Sequence, residues 1–263
     1  MSLDKKISYF KADMHLSLIN WIGIPLIFVY LIGMLFWPLF THCWSWEYTQ
    51  DVWDRWQTLN AGMLAFIASV IALNISSYNE DKQRKRRFIA TRAFLPEALS
   101  EVSLYLKNSA EILKESWERL NGPRTGLYMP LQSPFAEQSE GYKEIFSKCI
   151  SEAEPEIGDY LAKILSSLQI HHARMRELQA SFSPDRQLVI VQDNLKSYLY
   201  SLAELKAMIN SLYGFARGEE PFSGPNLTRE DFKQAYANLD IYPEDYLDLE
   251  GFTHRALQRR HLL

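Results

Sequence analysis

The chain has 263 residues, a formal net charge of −4 and two cysteines, Cys43 and Cys149. So few cysteines exclude a disulfide-stapled scaffold and a CxxC metal site. The overall charge hides an asymmetry, because residues 21–41 and residues 57–79 contain no charged residue at all.

The N-terminal segment, residues 1–19, has apolar residues at the helical spacings of three and four. They are Leu3, Ile7, Phe10, Met14 and Leu18, and the charged residues of the segment lie off that stripe. The pattern predicts an amphipathic helix. It either rests in the membrane interface or packs on the soluble part of the protein.

Residues 20–41 form the first apolar stretch. A helix needs roughly 20 apolar residues to cross a hydrocarbon core about 30 Å thick. Trp21 and Trp37 lie near its ends, where aromatic rings favour the membrane–water interface. The stretch is too long for a signal-peptide core and no small-residue cleavage site follows, so we expect an uncleaved transmembrane helix. The alternative for both apolar stretches is a buried core helix of a soluble protein.

Residues 42–56 connect the two stretches and are too short for a domain. They carry Glu47, Asp51 and Asp54 but only one basic residue, Arg55. We expect a short extracytoplasmic turn. Its tryptophans would join Trp21 and Trp37 in a belt of interface aromatics, and they are Trp44, Trp46, Trp53 and Trp56.

The second apolar stretch, residues 57–79, differs from the first because small residues recur four positions apart. Such spacing lets helix backbones approach closely in lipid, and Asn side chains hydrogen-bond across helix interfaces. The pattern predicts a packing face directed either at a second copy of the chain or at the first span. Its residues are Asn60, Ala61, Ala65, Ala68, Ser69, Ala72, Asn74 and Ser76.

A basic collar, residues 82–92, follows the second span without an intervening proline or glycine. Its cations are Lys82, Arg84, Lys85, Arg86, Arg87 and Arg92. We expect one helix from Trp56 to Leu95 whose collar lies against the anionic headgroups of the cytoplasmic leaflet. A nucleic-acid-binding patch is the alternative.

The placement of Lys and Arg also predicts the orientation. Both outer flanks of the two spans are basic, whereas the connecting loop has only Arg55. The positive-inside rule therefore predicts a multi-pass protein of the cell inner membrane with both termini in the cytosol. In that topology Cys43 and Cys149 face opposite sides of the membrane and do not pair.

Residues 80–263 show helical periodicity and no β alternation of useful length. Helix signals are a stop at Asn121-Gly122-Pro123, a short helix at 141–152, starts at Pro155, Ser183-Pro184 and Pro243, and a capping box of Thr228 with Asp231. The predicted fold is all-α, a two-helix transmembrane hairpin followed by a cytosolic helical bundle.

An acidic arm, residues 219–250, contains nine carboxylates against Arg229 and Lys233. One interpretation is a solvated face. The other is that the arm contacts the basic collar, or a basic partner, and reports a cytosolic change to the membrane helices.

The sequence contains no phosphate-binding, nucleophile-elbow or zinc-protease motif. Its histidines have no acidic or cysteine partners at metal-ligand spacing. We therefore expect no catalytic residues, no metal and no cofactor. One pair, Arg255 and His261, has the Arg-x(4–6)-His spacing and so resembles the all-α HEPN ribonucleases. Ala256 stands where that family has a polar residue.

The stretch WQTLNAGMLAFIASVIALN, its basic collar and the helical domain after it resemble the small two-transmembrane effectors of bacterial anti-phage systems, such as those carried beside retrons. The resemblance implies a toxin-like antiviral effector. It would be held inactive by a regulatory protein or nucleoprotein partner and would compromise the membrane when released. Two spans enclose no pore, so a conducting assembly would be an oligomer. The alternative functions are a membrane anchor that recruits a partner through its bundle and a membrane-tethered ribonuclease.

Overall fold

The structure is a computed structural model that describes residues 20–41, 45–123, 129–135, 137, 140–182, 190–224 and 226–261, without the side chains of Leu35, Arg260 and His261. The predicted amphipathic segment 1–19 and Trp44 lie outside this description. The chain divides into two compact units, Met1–Arg84 and Lys85–Leu263. Every regular element in the described ranges is helical, which confirms the all-α class.

The first unit contains helix α1 (Asn20–Thr41), helix α2 (Trp46–Arg55) and most of helix α3 (Gln57–Arg92). Helix α1 includes one π-helical turn, Ile32–Phe36. Helix α2 begins after Ser45, whose hydroxyl accepts the Tyr48 N–H as an N-cap. The segment expected to be a turn between the apolar stretches is therefore helical over most of its length.

Helices α1 and α3 are each long and apolar enough to cross a membrane. Their most apolar windows have mean hydropathies of 2.1 and 1.8, and only 12% and 11% of the residues in those windows are buried. Core helices of soluble proteins bury their apolar residues. The surface of these two helices is instead rich in exposed large apolar side chains.

The second unit is a helical bundle. It consists of α4 (Leu95–Asn121), α5 (Gly141–Glu152), α6 (Pro155–Ser181), α7 (Gln192–Asn210), α8 (Tyr213–Arg217), α9 (Arg229–Asn238), a 3-10 turn (Pro243–Asp245) and α10 (Leu249–His261). Helices α4 to α7 pack through apolar stripes whose members recur at spacings of three and four. On α4 these buried residues include Leu95, Leu99, Val102, Leu106 and Leu113.

Most helix boundaries lie where the start and stop signals in the sequence predict them. Helix α4 ends at Asn121 with Gly122 as its C-cap, α5 covers Gly141–Glu152, α6 starts at Pro155, and the capping box of Thr228 with Asp231 is present. Two expectations were wrong. Residues Ile190 and Val191 are not helical, so α7 begins at Gln192, and Pro243 opens only a 3-10 turn. The proposed cap at Ser183-Pro184 lies outside the described residues.

Candidate functional site

Helices α1 and α3 pack antiparallel along one stripe of each helix, which we call the hairpin seam. On α3 the less exposed positions recur at helical spacing, and they are Asn60, Met63, Ile67, Val70, Asn74 and Ser77. On α1, a Cβ added to Gly23 would lie 3.4 Å from the Phe66 ring. Gly23 therefore permits close approach of the two helices, which is the contact that strengthens helix pairs in lipid.

An asparagine pair lies at one end of the hairpin seam. The Asn20 Nδ2 donates to Asn74 Oδ1 at 2.8 Å, and the Asn74 Nδ2 donates back to Asn20 Oδ1 at 2.9 Å. The Asn74 amide also donates to the Val70 carbonyl oxygen at 2.8 Å. The polar group of Asn74 is thus bonded within one chain.

Asn60 lies towards the other end of the hairpin seam and is 6% exposed. Its Oδ1 accepts the Tyr30 hydroxyl at 2.7 Å, and its Nδ2 donates to the Trp53 carbonyl oxygen at 3.0 Å. The Trp53 indole Nε1 in turn donates to the Met34 carbonyl oxygen at 2.8 Å. These bonds join α1, α2 and α3. Asn60 and Asn74 therefore serve contacts inside the hairpin, which was one of the two directions open for the predicted packing face.

The small residues predicted together with the two asparagines lie elsewhere on α3. All six are exposed, and we call them the outer stripe: Ala61, Ala65, Ala68, Ser69, Ala72 and Ser76. At about 3.6 residues per turn, the outer stripe is on the opposite side of α3 from the hairpin seam. The Ser69 hydroxyl donates to the Ala65 carbonyl oxygen at 2.8 Å, so its donor is satisfied within the helix. The residues predicted to form one packing face therefore lie on two opposite faces of α3.

The predicted interface aromatics also divide. Trp21, Trp37, Trp46 and Trp56 are exposed. Trp53 is half-buried and bonded to Met34. Its indole connects α2 to α1.

The cations of the basic collar have different partners. Arg84 pairs with Asp81 at 3.2 Å, Lys82 lies 5.9 Å from the centre of the Tyr78 ring, and Lys85 and Arg86 are exposed. By contrast, Arg87 and Arg92 contact the bundle, and the Arg87 guanidinium pairs with Glu152 at 3.0 Å.

An aromatic joint connects the last turns of α3 to α8. The Arg92 guanidinium lies 5.3 Å from the centre of the Phe215 ring, and the Phe88 and Phe215 ring centres are 6.2 Å apart. Phe215 also meets Phe222 edge-on at 5.5 Å. Gly218 ends α8 at φ 76°, where a Cβ would lie 3.1 Å from Arg92 Nη2. Four side chains and one glycine thus fix the end of α3 to the bundle.

The acidic arm pairs with cations other than those of the collar. Asp240 bonds Lys107 at 3.1 Å, Asp248 bonds Arg255 at 2.6 Å, and Glu250 bonds Arg229. Among the described residues of the second unit, Arg87 and Arg92 have no ion pair with the arm. The Arg255 guanidinium is bonded to Asp248, and the His261 side chain, the other member of the pair that resembles a HEPN site, lies outside the described residues.

Two titratable side chains, Cys149 and His171, are buried in the bundle. Burial raises the pKa of the Cys149 thiol to about 11. Burial, with smaller contributions from Arg174 and His172, lowers the pKa of His171 to about 3. Both groups are therefore neutral near pH 7. In the part of the chain that is described, no three His, Cys, Asp or Glu side chains group as metal ligands.

A third buried group is more unusual. Lys206 of α7 is 8% exposed, and its Nζ donates to Ser103 Oγ of α4 at 3.0 Å. The Tyr213 hydroxyl lies 3.2 Å from the same Ser103 oxygen. Sequence reasoning missed this cluster, because nothing in the local pattern connects residues 103 positions apart.

Comparison with known proteins gives no family, since no family model, curated protein or solved structure matches the chain.

Proposed function

We propose that the chain is a two-pass membrane protein whose outer stripe binds a second copy, and that the resulting oligomer perturbs the bilayer as a toxin-like antiviral effector. The observation that carries this proposal is the position of the outer stripe. It is exposed and faces away from the hairpin seam. In lipid, small residues at this spacing permit close backbone approach, and a second copy of α3 offers the matching surface.

The membrane placement rests on the apolar surface of α1 and α3. Each is long enough to span a bilayer, and their apolar windows are almost wholly unburied. The proposed topology keeps both termini in the cytosol. In it, Lys82, Lys85 and Arg86 remain for anionic headgroups, where each cation contributes about 1 kcal/mol.

Control through the bundle rests on the aromatic joint. Phe88 and Arg92 of α3 contact Phe215 of α8, so a partner that shifts α8 also acts on α3. The effector is quiet while a regulatory protein or nucleoprotein holds the bundle, and it acts on the membrane after release.

The test is to express the chain alone in a bacterium while following membrane potential and viability. We expect depolarisation and growth arrest, and we expect Ala65→Leu or Ala68→Leu to abolish both because added bulk separates the α3 backbones. Leu73→Phe is the matched control, because residue 73 is exposed and lies about 100° around the helix from Ala72. Normal potential at verified membrane expression would contradict the effector function and favour a partner-recruiting anchor.

A further inference from the structure

A cluster of hydrogen-bond donors lies between α4, α7 and α8. Lys206 Nζ reaches Ser103 Oγ at 3.0 Å, Tyr213 OH lies 3.2 Å from Ser103 Oγ, and Tyr213 OH lies 3.4 Å from Ser100 Oγ. Lys206 is buried, Ser103 and Tyr213 are half-buried, and Ser100 is exposed. The cluster is therefore deep at Lys206 and reaches the surface at Ser100.

Among the described residues, Lys206 has no carboxylate bonded to its charge. Within the described ranges, no Asp or Glu forms an ion pair with its Nζ, and its hydrogen bond goes to a neutral hydroxyl. An ammonium group has three N–H donors, so two remain unused. Placing a cation in the protein interior without an anion is unfavourable, and burial accordingly lowers the pKa of Lys206.

Asn210 adds another unused donor on the same side of the helix. It follows Lys206 by one helical turn, so the two side chains lie on the same face of α7. The Asn210 Nδ2 is a buried nitrogen without a hydrogen-bond partner among the described residues. Buried donors are satisfied in nearly all native structures. Unused donors gathered here indicate that an acceptor belongs among them.

We propose that Lys206, Ser103, Asn210 and Tyr213 form a binding site for a small oxyanion, inorganic phosphate or the terminal phosphate of a nucleotide. Such an anion accepts several hydrogen bonds at once, and those from a charged donor are the strongest. It also neutralises the buried ammonium group. The exposed hydroxyl of Ser100 marks the side from which the anion enters.

The position of the site suggests a consequence for the aromatic joint. Tyr213 and Phe215 lie on the same short helix, α8, and Phe215 contacts Phe88 and Arg92. An anion bound at Tyr213 stiffens α8 and with it the end of α3. This consequence rests on the proposed function, whereas anion binding depends on the bundle alone.

The test is calorimetric titration of the full-length protein in detergent micelles, with inorganic phosphate in one arm and ATP in the other. We expect binding that Lys206→Met weakens by about tenfold or more. The matched control, Lys163→Met, removes an exposed lysine of α6 and leaves binding unchanged. If circular dichroism shows that Lys206→Met does not fold, Ser103→Ala and Tyr213→Phe replace it in the titration, and we expect both to weaken binding.

The two arms distinguish the source of the anion. Binding of both ligands, or of phosphate alone, supports a free oxyanion, and binding of ATP alone supports a nucleotide. The absence of binding in both arms overturns the proposal. Binding that survives Lys206→Met, or the two substitute variants, also overturns it because the anion then lies elsewhere. A protein that binds phosphate but leaves the membrane potential intact retains this site and loses only the proposed function.

Discussion

The indole Nε1 of Trp53 donates a hydrogen bond of 2.8 Å to the carbonyl oxygen of Met34. In a regular α-helix that oxygen accepts the N–H of the residue four positions later. Here the later residue is Pro38, which has no N–H, and the helix is π-helical over Ile32–Phe36. In the proposed membrane placement each backbone group needs a partner within the protein. The Trp53 indole is such a partner for the Met34 carbonyl oxygen, and it attaches α2 to α1.

Trp53→Phe tests the bond to Met34. The substitution keeps an aromatic ring and removes the N–H donor to the Met34 carbonyl oxygen. We expect the free energy of unfolding in mixed micelles, followed by circular dichroism, to fall by about 0.5–1.5 kcal/mol, the contribution of a typical hydrogen bond. Trp46→Phe is the control, because the Trp46 ring is exposed. Equal losses for the two variants would mean that the indole bond contributes nothing.

A double-mutant cycle measures the Asn20–Asn74 pair. Either single change to leucine leaves one amide without its partner, whereas the double change removes both. We expect a coupling free energy of about 0.6 kcal/mol, the average for hydrogen bonds between membrane helices. Additive losses in micelle unfolding would show that the two amides do not interact.

The contacts of Glu115 with the loop that contains Gln132 and Ser133 predict that the stability of the fold depends on pH. Its carboxylate accepts the backbone N–H groups of Gln132 and Ser133, each at 2.7 Å, and pairs with Arg119. Burial alone would raise the pKa of Glu115, but these N–H groups and the Arg119 charge hold it below its ordinary value of 4.5. A lowered pKa means that ionised Glu115 stabilises the fold above about pH 4.5 and that this stability is lost as the pH falls.

Glu115→Gln removes that dependence. We expect the variant to lose about 1–2 kcal/mol of unfolding free energy at pH 7 and to differ less from wild type as the pH falls below 4.5. Glu144→Gln is the control, since Glu144 makes an exposed pair with Lys148 and such pairs contribute little. The two variants are compared by denaturant melts across that pH range. If Glu115→Gln and the wild-type protein showed the same pH dependence of unfolding free energy, ionised Glu115 would not be what stabilises the loop.

The conformation of Gly218 and its closeness to Arg92 predict that a side chain at position 218 destabilises the aromatic joint. Alanine there would have to adopt φ 76° and place its Cβ 3.1 Å from Arg92 Nη2. We expect Gly218→Ala to cost about 1–2 kcal/mol in thermal or denaturant unfolding. Gly224→Ala should be neutral, because no atom lies within 4 Å of an added Cβ at that position. A neutral Gly218→Ala would show that the joint relaxes without loss.

The helices were predictable because their signals are local. Pro155 at a first helical turn, Asn121-Gly122 after a last turn and the Thr228–Asp231 capping box each act within a few residues. Helix α2 was not predicted, because the four tryptophans of residues 42–56 indicate a membrane interface but carry no information on the backbone conformation. The cap at Ser45 was the available signal.

The candidate sites were less predictable because they depend on partners distant in sequence. Asn74 and Ala72 share a helix and a composition signal, yet only the position of Asn20 shows that they serve opposite faces. Lys206 meets Ser103 only when α4 and α7 pack together, so no local signal marks it. Burial and pairing are properties of the packed structure.

Disulfide cross-linking in native membranes tests directly whether a second copy binds through the outer stripe. In a chain lacking Cys43 and Cys149, single cysteines are placed at successive positions from residue 61 to residue 76 and oxidised. We expect dimers to form at Ala61, Ala65, Ala68 and Ala72, and not at Ile67 or Val70 of the hairpin seam. Dimers without helical periodicity, or strongest at Leu73 and Ile71, would contradict a second copy bound through the outer stripe.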